Sequence, residues 1–134
     1  MSTHKKGRVR DVMTNNYAVI DGLTTVKEGI QLARSHEVKA LVVNKRNEDD
    51  EYGLVLMNDI AKKVLAQNRS PDRTNIYEIM TKPALSVDPD MNVKYCARLF
   101  ERFGISRAPV IEAGKIIGMV SYNNIVINGM VHDD

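Results

Sequence analysis

The stretch Val9-Arg10-Asp11-Val12-Met13-Thr14 returns later in the chain as Ile76-Tyr77-Glu78-Ile79-Met80-Thr81, at an offset of 67 residues in a chain of 134. A second stretch, Gly53-Leu54-Val55-Leu56-Met57-Asn58-Asp59-Ile60, returns as Gly118-Met119-Val120-Ser121-Tyr122-Asn123-Asn124-Ile125 at an offset of 65 residues. The change of two residues falls in the polar segment 44–52, as expected for an insertion in an exposed turn. The chain therefore contains two copies of one repeat, and this duplication decides the fold.

Each copy predicts the same order of elements, β-α-β-β-α. An extended segment follows each Met-Thr pair, at 17–20 and 84–87, and precedes a helix with apolar residues at helical spacing, Val26, Ile30 and Ala33 in the first copy. Two β-rich runs then predict a hairpin in each copy, at 40–43 with 53–56 and at 108–111 with 116–120. A final helix is predicted at 58–67 and from residue 123 onward.

Local signals mark the ends of the middle helices. Thr25 and Glu28 fit a capping box, in which each side chain satisfies the other's backbone N–H group. Asn92 is the equivalent cap in the second copy, and Gly104 supplies a left-handed stop. These signals predict helices that begin near residues 26 and 93.

We therefore predict an α/β (α+β) fold in which two β-α-β-β-α repeats pack sheet to sheet with pseudo-twofold symmetry. A repeat of about 60 residues buries too little apolar surface to be comfortably stable alone, and packing two of them removes that shortage. The predicted boundaries are 8–67 for the first repeat, 75–130 for the second, 68–74 for the linker and 1–7 for a flexible basic tail.

Composition excludes several classes of protein. Nineteen Lys and Arg against 17 Asp and Glu leave a net charge of +2, which argues against a dedicated nucleic-acid binder. No apolar run approaches the ~20 residues of a membrane span, and the N-terminus does not read as a secretory signal. The single cysteine, Cys96, aligns with Gly29, so we expect it to be small and buried rather than nucleophilic. The three histidines lack metal-ligand spacing, so we predict no metal site and no catalytic residue. The lack of a membrane span and of a secretory signal predicts a soluble cytoplasmic protein.

The two sequence repeats resemble a tandem pair of CBS domains, a family named after cystathionine β-synthase, over roughly residues 8–130. The resemblance rests on both Met-Thr starts, on the segment 104–110 (Gly-Ile-Ser-Arg-Ala-Pro-Val) and on the repeated Gly53 and Gly118 segments. It implies a non-catalytic regulatory module that binds an adenosine-containing ligand, AMP, ADP, ATP, NAD or S-adenosylmethionine, in two symmetry-related clefts. The resemblance implies no required cofactor. It implies a homodimer and an unidentified regulated protein as partner, and neither nucleic acid nor a membrane.

The family's binding segment reads Gly-apolar-apolar-Ser/Thr-x-x-Asp, and this chain divides its polar residues between the copies. The first copy keeps the acid, Asp59, but has Leu56 in place of the hydroxyl residue. The second copy keeps Ser121 but has Asn124 in place of the acid. The resemblance implies that the hydroxyl at a helix start serves a phosphate and that the acid serves the ribose hydroxyls.

Two unequal clefts follow from the resemblance. In the favoured cleft, Asp59 would bind the ribose, Arg107 would bind phosphate as a fork and the backbone near Ala84 would read the adenine edge. In the second cleft, Asn124 would hydrogen-bond the ribose and Lys39 would serve a phosphate. The favoured cleft comprises Asp59, Thr81, Ala84, Ser106, Arg107 and Pro109; the second comprises Thr14, Tyr17, Lys39, Ala40, Ser121 and Asn124.

Structural roles compete with these assignments. Ser121 with Asn124, and Asp59, are also what a helix start requires as caps, each worth ~1 kcal/mol. Arg107 also fits a solvated position at the start of a strand, and Thr14 and Thr81 fit caps of their turns. Capping and ligand binding therefore both remain open for these positions.

Two other functions stay open beside the nucleotide sensor. One is a ligand-free homodimeric scaffold or protein-interaction module whose clefts have degenerated, as Leu56 and Asn124 permit. The other is RNA binding through the basic N-terminal arm, formed by Lys5, Lys6, Arg8 and Arg10.

Overall fold

The computed structural model describes residues 7–130, so the predicted tail at residues 1–7 lies outside the described part except for Gly7. Contacts divide this part into two compact units. We call residues 16–84 the β1–β3 unit, and residues 7–15 together with 85–130 the β4–β5 unit. No helix of residues 7–130 has the length and apolar character needed to cross a membrane.

The β1–β3 unit is a three-stranded sheet with helices. In it β1 (Ala18–Ile20) runs parallel to β2 (Ala40–Val43), which pairs antiparallel with β3 (Gly53–Leu56). Ile20, Leu41 and Val55 lie in its apolar core. Its elements are β1 (Ala18–Ile20), α2 (Val26–His36), β2 (Ala40–Val43), β3 (Gly53–Leu56), α3 (Met57–Ile60), a π-helical turn (Ala61–Leu65) and a 3₁₀ turn (Ile76–Glu78).

The β4–β5 unit is a hairpin sheet covered by helices. Strands β4 and β5 pair antiparallel from Arg107 opposite Ser121 to Glu112 opposite Lys115. Phe100 and Val120, both fully buried, lie in its core. Its elements are α1 (Val9–Val12), α4 (Val93–Phe103), β4 (Arg107–Glu112), β5 (Lys115–Ser121) and α5 (Tyr122–Gly129).

Each unit contains the leading segment of the other sequence repeat. The backbone of Thr14 exchanges two hydrogen bonds with Met119 of β5, at 2.8 and 2.9 Å. Thr81 exchanges two bonds of 3.0 Å with Leu54 of β3. Leading segments of four or three helical residues cannot bury their apolar side chains alone. The repeat in sequence and the compact unit in space therefore have different boundaries.

A methionine lying over a glycine explains the Met-Thr motif. A Cβ built on Gly118 would lie 2.7 Å from the sulfur of Met13, and one on Gly53 would lie 2.7 Å from the sulfur of Met80. Real side-chain atoms approach to about 3.5–4.0 Å. The glycines of β3 and β5 thus leave room for the methionines of the two leading segments.

The predicted helix ends are confirmed. The backbone N–H of Glu28 donates to Thr25 Oγ1 at 3.1 Å, and the N–H of Thr25 donates to Glu28 Oε1 at 3.0 Å. Asn92 Oδ1 accepts from the N–H of Lys94, and Gly104 ends α4 with φ of 65°.

The predicted strand 84–87 was wrong, and two predicted helices differ from the structure in detail. Helix α2 forms as predicted, but Ile30 is exposed and Gly29 is buried, because Ile76 packs where a side chain on Gly29 would lie. The predicted strand 84–87 is no regular strand: Ala84 donates to Tyr52 in the β1–β3 unit, whereas Val87 bridges to β4. The predicted helix 58–67 is α-helical only to residue 60, where the hydrogen bonding changes to the π-helical pattern.

Candidate functional site

Four predicted site residues lie together at one end of the β4–β5 sheet. Arg107, the first residue of β4, is the register partner of Ser121, the last residue of β5. The carbonyl of Ser106 accepts from the N–H of Tyr122 at 3.0 Å, which ties the start of β4 to the start of α5. We call Ser106, Arg107, Ser121 and Asn124 the β4–β5 polar end.

Ser121 and Asn124 cap α5 reciprocally. The N–H of Asn124 donates to Ser121 Oγ at 3.2 Å, and the N–H of Ser121 donates to Asn124 Oδ1 at 3.0 Å. The Ser121 hydroxyl also donates to that same amide oxygen at 3.0 Å. The capping role left open by the sequence is therefore present, and it orients both side chains at the positive end of the helix.

Arg107 and Arg10, two arginines of the β4–β5 unit, have different surroundings. Within residues 7–130 Arg107 has no ion-pair partner, and it is half-buried. Arg10, by contrast, lies 2.9 Å from both Asp90 and Glu112. Arg107 thus carries a positive charge without a carboxylate partner, on the residue opposite the N-cap of α5, and a guanidinium can bind an anion as a fork.

Two further predicted residues lie near this end. Thr14 bridges to Met119, and Pro109 is the register partner of Met119 from the other side. Met119 is two residues from Ser121 along β5, so Thr14 and Pro109 flank the strand that ends at the polar end.

The β1–β3 unit has an equivalent end with different chemistry. Asp59 Oδ2 accepts from the N–H of Leu56 at 2.8 Å and so caps the start of α3. Ala40 is the register partner of Leu56, and the exposed Lys39 precedes it. Lys39, Ala40, Leu56 and Asp59 form the β1–β3 polar end, where a carboxylate replaces the amide and a leucine replaces the hydroxyl.

The remaining predicted residues also belong to the β1–β3 unit. Thr81 is exposed and pairs with Leu54, and the N–H of Ala84 donates to the carbonyl of Tyr52 at 2.9 Å. Burial raises the pKa of Tyr17, and the nearby Tyr52 raises it further.

Each unit contains residues that the sequence assigned to both predicted clefts. Arg107 lies with Ser121 and Asn124, which the sequence assigned to the second cleft. Asp59 lies in the same unit as Lys39, which was also assigned to the second cleft. Sequence reasoning did not use the strand register that brings Arg107 to Ser121.

Two arginines of the basic arm, Arg8 and Arg10, make contacts within the β4–β5 unit. Arg10 binds two carboxylates, and Arg8 Nη1 donates to the carbonyl of Asp90 at 2.6 Å. These arginines serve the packing of α1. Lys5 and Lys6 lie outside the described residues.

The cysteine and the metal-ligating side chain types are the other candidate reactive groups within residues 7–130. Cys96 is fully buried, as expected, and burial raises its pKa to about 11, which disfavours the nucleophilic thiolate. Within residues 7–130, no three His, Cys, Asp or Glu side chains converge to hold a metal ion.

Sequence reasoning missed a cavity of about 830 Å³ in the β1–β3 unit. It lies beyond the carboxyl ends of β1 and β2, and its lining includes Leu23, Lys45, Tyr77 and Lys82. We call it the β1–β2 cavity. It contains none of the twelve predicted site residues.

Comparison with known proteins agrees with the duplicated fold. The family model for the CBS domain matches residues 9–66 and 76–128. The chain is 26% identical to the CBS domain-containing protein YhcV of Bacillus subtilis, over 93% of this chain and 87% of that protein. It is similar to a hexameric CBS-CP12 protein from bloom-forming cyanobacteria, with 37% identity, a TM-score of 0.87 and coverage of 91% of this chain and 70% of that one. It also shares its fold with a CBS domain protein from Pyrobaculum aerophilum complexed with AMP, at 18% identity, a TM-score of 0.78 and coverage of 90% and 91%.

Proposed function

Because the chain belongs to the CBS-domain family, whose members are regulatory modules, we propose that it senses an adenosine-containing ligand and catalyses no reaction. The ligand would be AMP, ADP, ATP, NAD or S-adenosylmethionine. Binding would regulate a partner protein by favouring one conformation of the pair of repeats, to the extent that the ligand prefers that conformation. We propose that the chain acts in the cytoplasm.

The unpaired Arg107, opposite the residue that caps α5, carries this proposal. A half-buried guanidinium without a carboxylate partner attracts a phosphate, and its fork can donate two parallel hydrogen bonds. The N-terminus of α5 adds positive potential at the same end of the sheet. The backbone N–H groups of Ser121 and Asn124 already donate within the cap, and a phosphate would have to displace those bonds. We therefore expect Arg107 to provide most of the affinity.

The adenosine part of the proposal rests on the family. The fold neighbour from P. aerophilum was solved with AMP, which favours that nucleotide among the candidates. Asp59 is suited to ribose hydroxyls, because its Oδ2 accepts from Leu56 and no hydrogen bond to its Oδ1 is described within residues 7–130. The roles of the other predicted residues, and their assignment to two clefts, remain proposals of the same kind.

Thermal unfolding with a ligand panel tests the proposal. AMP, ADP, ATP, NAD and S-adenosylmethionine are each added at millimolar concentration to the whole chain. A ligand at 100 times its Kd stabilises the folded protein by ~2.7 kcal/mol. We expect at least one ligand to raise the melting temperature, and we expect Arg107→Ala to remove most of that rise.

Arg102→Ala is the matched control, because Arg102 is an exposed arginine near the end of α4 in the same unit. It should keep the full ligand response. A flat response to the whole panel would refute the sensor, and an equal loss in both variants would show that Arg107 acts through net charge alone.

A homo-oligomeric scaffold is the second candidate, favoured by an exposed apolar face on α5. Tyr122, Val126 and Met130 are spaced by four residues, Ile127 lies beside them, and all are exposed. The cyanobacterial relative at 37% identity is hexameric. We propose that this face joins two copies of the chain, with or without ligand.

Light scattering coupled to gel filtration tests this face. Ile127→Glu should convert the wild-type dimer to a monomer, whereas Leu65→Glu, a change at an exposed leucine of the β1–β3 unit, should leave the dimer intact. A monomeric wild type, or a dimer that survives Ile127→Glu, would contradict the assignment.

A further inference from the structure

The β1–β2 cavity has the size and walls of a small-molecule site. Its volume of about 830 Å³ falls within the ~300–1,000 Å³ typical of ligand pockets. Three apolar side chains of its lining are exposed: Val19 at 43%, Leu23 at 73% and Tyr77 at 49%. Tyr77 is an aromatic residue of this lining, and an aromatic ring can stack on a flat molecule.

A carboxylate that lies behind the lining fixes two cations of the cavity. Asp50 Oδ1 is 2.8 Å from Lys82 Nζ, and Asp50 Oδ2 is 3.2 Å from Arg46 Nε. The Asp50 side chain is only 9% exposed, and these partners hold its pKa well below the usual range. Lys82 and Arg46 are therefore held in place by a group that stays ionised.

The charges of the lining favour an anion. Lys45, Arg46 and Lys82 line the cavity together with one acid, Asp21, whose Oδ1 accepts from the N–H of Leu23 at 2.8 Å. Lys45 Nζ lies 5.1 Å from the centre of the Tyr52 ring and has no ion-pair partner within residues 7–130. Lys45 can thus pair with an anion without giving up a carboxylate.

We propose that the β1–β2 cavity binds a small organic anion with a flat apolar body. The body lies against Tyr77, Val19 and Leu23, and the anionic group pairs with Lys45. This site is separate from the proposed adenosine site, because it shares no residue with it. Each proposal can therefore fail without the other.

A titration followed by amide NMR signals tests the site with three probes. Indole-3-acetate supplies the flat body and the charge, indole-3-acetamide supplies the body alone, and inorganic phosphate supplies the charge alone. We expect indole-3-acetate to shift the signals of Gly22, Asn44 and Tyr77 saturably, and each partial probe to bind about tenfold or more weakly.

Variants with matched controls identify the contacts. Lys45→Gln and Tyr77→Ala should each weaken indole-3-acetate binding about tenfold. Lys62→Gln removes an exposed lysine elsewhere in the same unit, and Tyr95→Ala removes an exposed tyrosine of α4; both should bind as the wild type does. Because Lys45 and Tyr77 are not in the core, the variants keep their fold, which their amide spectra verify.

Three results would overturn the proposal. One is the absence of any shift at the cavity up to millimolar indole-3-acetate. Another is equal binding of the acetate and the acetamide, which would show that the cations play no part. The last is wild-type affinity in both Lys45→Gln and Tyr77→Ala.

Discussion

Replacing Gly118 with alanine tests the methionine–glycine packing that joins α1 to β5. The new Cβ would lie 2.7 Å from the sulfur, 3.0 Å from Cγ and 3.3 Å from Cβ of Met13. Because ordinary contacts are about 3.5–4.0 Å, the sulfur must retreat by roughly 1 Å. Overpacking of this kind costs about 1–3 kcal/mol. Alanine returns roughly 0.4–1 kcal/mol through the entropy of the unfolded chain. We therefore expect a net loss of about 1–2 kcal/mol.

Urea unfolding of a double-mutant cycle measures this effect. In a Met13→Ala background the sulfur and Cγ are removed and only the 3.3 Å contact with the Cβ of residue 13 remains, so Gly118→Ala should cost at least about 1 kcal/mol less than in the wild type. The equivalent pair, Gly53 and Met80, provides a second cycle in the other unit. Equal effects of Gly118→Ala in both backgrounds would refute the packing argument, since the glycine would then be required for a reason independent of Met13.

Three further predictions concern stability, pH and reactivity. Phe100→Ala should destabilise the protein by about 3–5 kcal/mol in urea unfolding, because the ring is fully buried; a loss below 1 kcal/mol would contradict its place in the core. Asp50 has a lowered pKa in the folded state, so its ion pair with Lys82 stabilises the protein above the carboxyl's ordinary pKa of 3.8 and is lost as the pH falls below it. Asp50→Asn should therefore lose less stability than the wild type between pH 5 and pH 2, and parallel pH curves would contradict the role of the pair. Cys96 should resist iodoacetamide at pH 8 in the native protein and react in urea, because it is buried with a pKa of about 11; rapid native labelling, followed by mass spectrometry, would be the opposite result.

Local features of this fold were predictable because adjacent residues determine them. The Thr25–Glu28 cap requires only side chains three residues apart, and the stop at Gly104 requires only freedom at positive φ. Both hairpins follow from β-rich runs on either side of a polar turn. The repeat itself predicted two copies of one element order.

Features that depend on distant partners were not predictable in the same way. The repeat aligns segment 84–87 with segment 17–20 and so predicted a strand, but the hydrogen bonds of 84–87 are divided between Tyr52 and β4. The pairing of Asp50 with Lys82 joins positions 32 residues apart, and no local pattern indicates it. The lining of the β1–β2 cavity comes from residues 19–23, 43–46 and 77–82, which are distant in the sequence, so no local pattern indicates the cavity.

The assignment of the candidate residues to two clefts stays a prediction, whereas the structure shows which of them are neighbours within one unit. The Gly118 segment indicated Ser121 and Asn124, and the structure shows them as a reciprocal cap. The neighbour of that cap, Arg107, is determined by the register of β4 on β5. A register is set by side-chain burial along both strands, which a motif does not encode.

An AMP titration followed by amide NMR signals reports both whether the nucleotide binds and where it binds. We expect saturable shifts at Ser106, Arg107 and residues 121–124, and their loss in Arg107→Ala. Spectra that stay unchanged at millimolar AMP, or shifts confined to Gly22, Asn44 and Tyr77 of the β1–β2 cavity, would contradict this expectation.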